Sequence, residues 1–250
     1  KGCFNTGIMF RFLTICTCLS LVLLMPLAIC AQLHDYVWVM GYDGGPASAH
    51  IDSAGLSILN FSNEQLSISD NQTGEAHFRS NNLSYSDANG ELLFTFNGQG
   101  VYGPGHEWVQ NGADWFTGEF PSGWFGPQSS IALPYPDENN LAALFNMEID
   151  YIAINGSNEA IGRKLFYSLV GHEGDNPPEV LLRKELLLAD TLDIGKLSAC
   201  RHANGRDWWV LVPEWSSNRY YRFLLNPEGV EMVGQQVVGG NVPSGVGQAL

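Results

Sequence analysis

Short runs of β-branched and aromatic residues recur along this chain between residues that favour turns, and this pattern constrains the fold most. Helical periodicity is almost absent beyond residue 31, whereas short apolar runs bounded by Gly, Pro, Asn and Asp are typical of β-strands. The clearest unit is residues 83–98, where Asn89 and Gly90 separate two strand-like runs. An Asn-Gly pair supplies the positive φ angles that a tight hairpin needs. The pattern therefore predicts an all-β fold.

Further strand-like runs follow in two groups. The first group comprises residues 130–133, 141–147, 164–170 and 180–188, and the second comprises residues 208–212, 220–225 and 230–238. Each group resembles an antiparallel meander of three or four strands, and repeated meanders pack economically as the radial blades of a β-propeller. We therefore predict β-propeller-like antiparallel meanders forming a partial propeller of about three blades. The alternative is a complete β-sandwich.

The first 31 residues have the composition of an export signal. Arg11 precedes an apolar run from Phe12 to Ile29, and small residues surround a cleavage point near Ala31. This is the order of regions in a secretory signal peptide. We predict that residues 1–31 are upstream residues and a signal peptide, and that residues 32–250 form the β-propeller-like domain. The strand-like residues 245–250 lead us to expect an amino-terminal fragment of a longer protein, truncated at its carboxyl end.

Two other interpretations of the apolar segment stay open. An apolar run of this length can just span a bilayer, but Pro26 interrupts it and no basic stop-transfer residues follow. Lipid attachment at Cys30 is the second alternative, and it is disfavoured because Ile29 stands where a small residue is required. The signal peptide is favoured, so we expect a secreted or outer cell-surface protein with no membrane span in the mature chain.

Charge and cysteine placement limit the partners of the mature chain. The sequence has 12 Lys and Arg against 26 Asp and Glu, and two of the basic residues, Lys1 and Arg11, precede the cleavage point. The mature chain keeps 10 basic and 26 acidic residues, a formal charge of −16, which argues against a nucleic-acid partner. Cys200 is the one cysteine beyond residue 31. The domain therefore has no internal disulfide and depends on its core for stability.

An aromatic, glycine-rich stretch at residues 100–126 supplies the first candidate ligand-binding residues, Trp108, Trp115 and Trp124. Exposed tryptophans in such a stretch can line a carbohydrate or peptide site. The same residues can instead fill the core. Filling the core is the favoured interpretation.

The second candidate group lies in residues 201–209, with Arg201, His202, Asp207 and Trp208. As a ligand site, the histidine and aspartate would form an oriented pair, the arginine would hold an anion and the tryptophan would stack on a sugar. As a structural element, a His202–Asp207 hydrogen bond would brace the turn between two strands. The structural interpretation is favoured.

Motifs that carry chemistry are missing from the sequence. It has no Gly-x-Ser-x-Gly elbow, no His-Glu-x-x-His pair, no phosphate-binding glycine loop and no cysteine pair for zinc. We therefore predict no catalytic residue, no metal ligand and no cofactor.

Four segments resemble a known group of proteins: residues 38–42 (WVMGY), 68–70 (ISD), 90–98 (GELLFTFNG) and 201–209 (RHANGRDWW). They look like segments of large secreted Bacteroidetes proteins that are similar to WD40-like or YVTN-like propellers and often end in a type IX secretion sorting domain. The resemblance implies a propeller that is secreted or held at the cell surface. It implies no catalytic residue, because that group has no settled activity.

These observations lead to one favoured function and one alternative. We expect a secreted or cell-surface, non-enzymatic binding or scaffold protein that uses a β-propeller to bind a protein or carbohydrate ligand. The alternative is a secreted glycan-active hydrolase or lyase on the same scaffold, which requires paired carboxylates in a shared pocket. The carboxylates to examine for such a pair are Asp114, Glu119, Asp150 and Glu214.

Overall fold

Fourteen antiparallel strands make up the part of the chain that the structure, a computed structural model, describes. That part comprises residues 33–41, 55–62, 65–72, 74–78, 81–116, 126–154, 156–174 and 176–241. It contains no α-helix, which confirms the predicted all-β fold. The predicted signal peptide and the candidates Trp124 and Glu119 lie outside the described residues. No helix among the described residues is long and apolar enough to cross a membrane.

The strands form four sheets, each built from strands that are consecutive in the chain. Sheet I holds β1 (Val37–Gly41), β2 (Leu56–Asn60) and β3 (Ser67–Gln72). Sheet II holds β4 (Leu83–Ser86), β5 (Leu92–Phe96) and β6 (Val101–Tyr102). Sheet III holds β7 (Ser130–Pro134), β8 (Leu141–Ile154), β9 (Ser157–Gly171) and β10 (Glu179–Leu192). Sheet IV holds β11 (Ser198–Arg201), β12 (Trp208–Pro213), β13 (Arg219–Asn226) and β14 (Gly229–Val237).

The hairpin predicted at Asn89 and Gly90 joins β4 to β5. Gly90 has a φ of 85°, a conformation that glycine adopts without steric cost. The Asp87 carboxylate accepts hydrogen bonds from the backbone N–H groups of Asn89, at 2.8 Å, and Glu91, at 2.9 Å. The described residues form four meanders instead of the expected three, because Val37–Gly41, Leu56–Asn60 and Ser67–Gln72 make a sheet of their own.

Sheet III is packed on both faces. In β8, Phe145 and Met147 join Phe223 of sheet IV in one hydrophobic cluster, whereas Leu144 joins Phe96 of sheet II in another. Side chains alternate between the two faces along a strand, so neighbouring residues of β8 serve different cores. In a two-sheet sandwich each sheet buries only one of its faces, whereas sheet III buries both of its faces.

The first strands of sheets I, II and III lie next to one another. The backbone N–H groups of Val37 and Val39 in β1 donate to the Oγ atoms of Ser86 (3.2 Å) and Ser84 (2.9 Å) in β4. The Oγ atom of Ser130 in β7 donates a hydrogen bond to Oδ1 of Asn81, two residues before β4, at 2.6 Å. Sheets I, II and III therefore approach one another through their first strands.

Candidate functional site

A cleft of about 350 Å³ lies between the loop that follows β6 and the connection from β9 to β10. This volume is within the range of small-ligand sites. Ten residues line the cleft: Gly103, Pro104, Glu107, Trp108, Val109, Gln110, Asn176, Pro177, Pro178 and Glu179. We call it the Trp108 cleft.

The first wall begins with a tight turn after β6. The N–H of His106 donates to the carbonyl of Gly103 at 3.0 Å, with Pro104 at the turn position where its fixed φ is favoured. His106 has a φ of 67° and is 5% exposed. Its burial lowers the pKa of the imidazole, which favours the neutral ring. The turn reverses the chain, so that Trp108 pairs with Tyr102 of β6.

Trp108 lines the cleft and packs against Tyr102 and Gly100. Its ring is stacked on that of Tyr102, with centroids 4.1 Å apart, and 37% of the residue is exposed. Tyr102 is fully buried, its hydroxyl accepts a hydrogen bond from Asn97 Nδ2 at 3.1 Å, and burial raises the pKa of its phenol. A Cβ at Gly100 would overlap the Trp108 ring. The glycine and the tyrosine together fix the indole in place.

The two walls of the cleft are joined by direct hydrogen bonds. Val180, at the start of β10, donates its N–H to the carbonyl of Gln110 at 3.0 Å and accepts from Asn111 Nδ2 at 3.2 Å. The Nη2 atom of Arg183 in β10 donates to the carbonyl of Ala113 at 2.8 Å and to that of Asp114 at 2.7 Å. These bonds hold the walls in a fixed relation, which favours binding because less freedom is lost when a ligand enters.

The charged residues at the cleft are both acidic. Glu107 stands on the first wall and Glu179 on the second, and no Lys or Arg is among the ten lining residues. The amides of Gln110 and Asn176 add groups that both donate and accept hydrogen bonds. The cleft therefore combines one aromatic surface with acceptors and amides, and its charge is negative.

Three of the carboxylates proposed from the sequence, Asp114, Asp150 and Glu214, lie in the described part of the chain and outside the Trp108 cleft. Asp150 pairs with Arg163 at 3.1 Å, and hydrogen bonds from the Tyr151 backbone and from Arg163 lower its pKa. Glu214 pairs with Arg219 at 3.5 Å. Neither these two residues nor Asp114 lines the Trp108 cleft.

Trp115 corrects part of the sequence-based site. It is only 3% exposed, its ring lies 5.3 Å from that of Phe96, and its Nε1 donates to the carbonyl of Asn111 at 3.2 Å. Trp115 therefore belongs to the core between sheets II and III and does not line the cleft. The two described tryptophans of the aromatic stretch therefore differ in position: Trp108 borders the cleft, whereas Trp115 fills the core, which is the role that the sequence favoured.

The side-chain hydrogen bond predicted between His202 and Asp207 is not formed. The Asp207 carboxylate is buried and accepts from Asn204 Nδ2 at 2.6 Å and from Arg206 Nε at 2.7 Å. The N–H of His202 donates to the carbonyl of Asp207 at 2.8 Å, and its ring Nδ1 accepts from the N–H of Asn204 at 3.1 Å. Asn204 and Arg206 lie inside the turn and occupy the acceptor sites that the prediction gave to the histidine.

Arg201 and Trp208, the remaining candidates of residues 201–209, contact each other and the hydrophobic core. The guanidinium of Arg201 lies 4.8 Å from the centroid of the Trp208 ring, and Trp208 packs against the core between sheets III and IV. Arg206 reaches Asp137, in the turn between β7 and β8, at 3.2 Å. The turn at residues 202–207 therefore braces sheet IV against sheet III, and none of these residues lines the Trp108 cleft.

We predict that the Asp207 carboxylate contributes to the free energy of unfolding and that this contribution is lost in acid. The hydrogen bond from Arg206, and after it that from Asn204, lowers the pKa of Asp207. Because the folded-state pKa is depressed, the contribution is present above the unfolded pKa of about 3.9 and is lost as the pH falls through the folded value. We expect Asp207→Asn to be less stable than the wild type at neutral pH, and the difference to narrow in acid. Urea unfolding midpoints of the two proteins, from neutral pH to below about 3.9, measure the difference in stability. A difference that does not change with pH would contradict the lowered pKa of Asp207.

Sequence reasoning missed the second wall of the cleft. Its signal is the pair Pro177 and Pro178 directly before a strand-like run, and nothing local links that pair to Trp108.

Among the described residues, no group of three or more His, Cys, Asp or Glu is placed to hold a metal ion. No family model, curated protein or solved structure matches this chain.

Proposed function

We propose that this chain is a secreted or cell-surface, non-enzymatic binding protein that holds a protein or glycan ligand in the Trp108 cleft. The observation that carries the proposal is Trp108, a partly exposed tryptophan that stacks on buried Tyr102 and lines a cleft whose walls are joined by hydrogen bonds. Amphipathic aromatic rings are common in binding sites because they provide a large contact area and have few rotatable bonds.

A propeller-like scaffold is part of the proposal. Four consecutive antiparallel sheets, the close approach of β1, β4 and β7, and a third sheet packed on both faces support a radial arrangement. Binding residues are found disproportionately on loops that a rigid scaffold positions. The Trp108 cleft is built from two such loops, one on sheet II and one on sheet III.

Export to the cell surface or the medium is proposed from the sequence. The apolar run from Phe12 to Ile29 and the small residues before Gln32 support a cleaved signal peptide. The resemblance to secreted Bacteroidetes propellers points to the same location.

A second candidate function is glycan hydrolysis or elimination at the same cleft. Glu107 and Glu179 favour it, because two carboxylates that line one cleft are the minimum that such chemistry requires. Binding without turnover remains the primary proposal, because the sequence carries no motif for catalysis.

The proposal is tested by measuring binding of an oligosaccharide panel and a peptide panel to wild type, Trp108→Ala and Trp38→Ala. Trp38 is the matched control, a tryptophan that is 46% exposed on β1 and does not line the cleft. We expect Trp108→Ala to weaken binding of at least one ligand by about tenfold or more, equivalent to roughly 1.4 kcal/mol. Trp38→Ala should bind as the wild type does.

Turnover is followed in the same samples by release of reducing ends and of unsaturated products. We expect none. Product formation that disappears in both Glu107→Gln and Glu179→Gln would replace the binding proposal with the enzymatic one. Binding that is unaffected by Trp108→Ala would place the ligand elsewhere and contradict the proposal.

A further inference from the structure

We infer that the ligand of the Trp108 cleft is a neutral, hydroxyl-rich glycan, with one pyranose ring stacked on the indole. This inference rests on the proposed binding function and goes beyond it by naming the chemistry of the ligand. It follows from three properties of the cleft: its charge, its single aromatic surface and its hydrogen-bonding groups.

The charge of the cleft disfavours acidic ligands. Glu107 and Glu179 are its two charged lining residues, and the lining includes no Lys or Arg that would neutralise a uronate, a sulfate or an acidic peptide. Bringing a like charge into such a cleft is unfavourable. The formal charge of −16 on residues 32–250 acts in the same direction.

The aromatic surface favours a sugar ring over an enclosed cation. Trp108 is the one aromatic among the ten lining residues in the described part of the chain, and Tyr102 already covers one side of its indole. Cages that recognise organic cations surround the charge with several aromatic faces, and this cleft offers one. A pyranose needs a single flat apolar surface for the C–H groups on one side of its ring.

The polar groups of the cleft match hydroxyl groups. A carboxylate only accepts hydrogen bonds, whereas the amides of Gln110 and Asn176 both donate and accept. A sugar hydroxyl is both donor and acceptor, so it can pair with either the carboxylates or the amides that line the cleft. Pro104, on the first wall, and the two prolines of the second provide apolar edges that need no hydrogen bond.

Isothermal titration calorimetry tests the inference with neutral oligosaccharides of glucose, xylose and mannose, an oligogalacturonate and an oligolysine peptide. We expect a neutral oligosaccharide to bind the wild type with an affinity that changes little between low and high salt. The oligogalacturonate should bind at least about tenfold more weakly. Binding of the oligolysine peptide, if present, would be recognised by its loss in high salt.

The variants relate the binding to the cleft. We expect Trp108→Ala to lose neutral-glycan binding by about tenfold or more, Trp108→Phe to keep part of it, and Trp38→Ala to keep all of it. Circular dichroism of each variant confirms that the strands are intact.

Two outcomes overturn the inference in different ways. Trp108-dependent binding of oligogalacturonate or oligolysine, with no binding of neutral glycans, contradicts the ligand class and leaves the proposed binding function in place. An absence of Trp108-dependent binding across all these ligands and the wider panels contradicts both.

Discussion

Leu144→Ala and Phe145→Ala are each expected to destabilise the protein by several kcal/mol, although their side chains point to opposite faces of β8. Both residues are fully buried, Leu144 against sheet II and Phe145 against sheet IV. Truncating a buried leucine costs about 2–5 kcal/mol and a buried phenylalanine about 3–5 kcal/mol, because contacts are lost and a cavity remains. Chemical unfolding followed by circular dichroism measures both losses.

Tyr151→Ala provides the control on the same strand. Tyr151 lies in the outer half of β8 and is 43% exposed, so its truncation should change the free energy of unfolding by less than about 0.5 kcal/mol. If either Leu144→Ala or Phe145→Ala behaved like Tyr151→Ala, one face of sheet III would be open to solvent. That result would contradict the packing of sheet III between two other sheets and would favour a two-sheet sandwich.

Asp207→Ala is expected to destabilise the protein more than His202→Ala does. Loss of the buried Asp207 carboxylate leaves the Asn204 amide without its acceptor and removes a charge-assisted bond from Arg206. A change of this kind costs about 1–3 kcal/mol. His202→Ala removes the ring that accepts from the N–H of Asn204, which should cost less than about 1 kcal/mol.

Thermal unfolding of the two variants beside the wild type measures this difference. Equal losses in both variants would mean that the two side chains act as one pair, as the sequence alone predicted. Loss of ligand binding in Asp207→Ala with no loss of stability would mean that the turn is a ligand site and not a brace.

The parts of the fold that the sequence predicted correctly are those with local signals. They include the Asn89-Gly90 turn and the strands β12, β13 and β14 of sheet IV, which turn residues separate and whose side chains alternate between buried and exposed faces. The first strand of that sheet, β11, was not predicted. Local signals failed for the hairpin of β8 and β9, which have 14 and 15 residues. Polar residues such as Glu148, Asp150 and Asn158 interrupt the apolar pattern there, and the pairing of the two strands maintains the extended structure.

The candidate site was predictable only in part, because its two walls come from distant segments. Aromatic density pointed to Trp108 and Trp115 equally, and only the packing shows that the first is exposed and the second buried. The bond between Asn111 and Val180 joins residues 69 positions apart in the chain. No sequence pattern around Pro177 and Pro178 indicates that these residues share a cleft with Trp108.

The most direct test of the account is a crystal structure of the protein bound to the neutral oligosaccharide that calorimetry finds tightest. We expect a pyranose ring against the Trp108 indole, with its hydroxyls within hydrogen-bonding distance of Glu107 or Glu179. Density for the sugar at the turn of residues 202–207 instead, beside Arg201 and Trp208, with an empty Trp108 cleft, would contradict it.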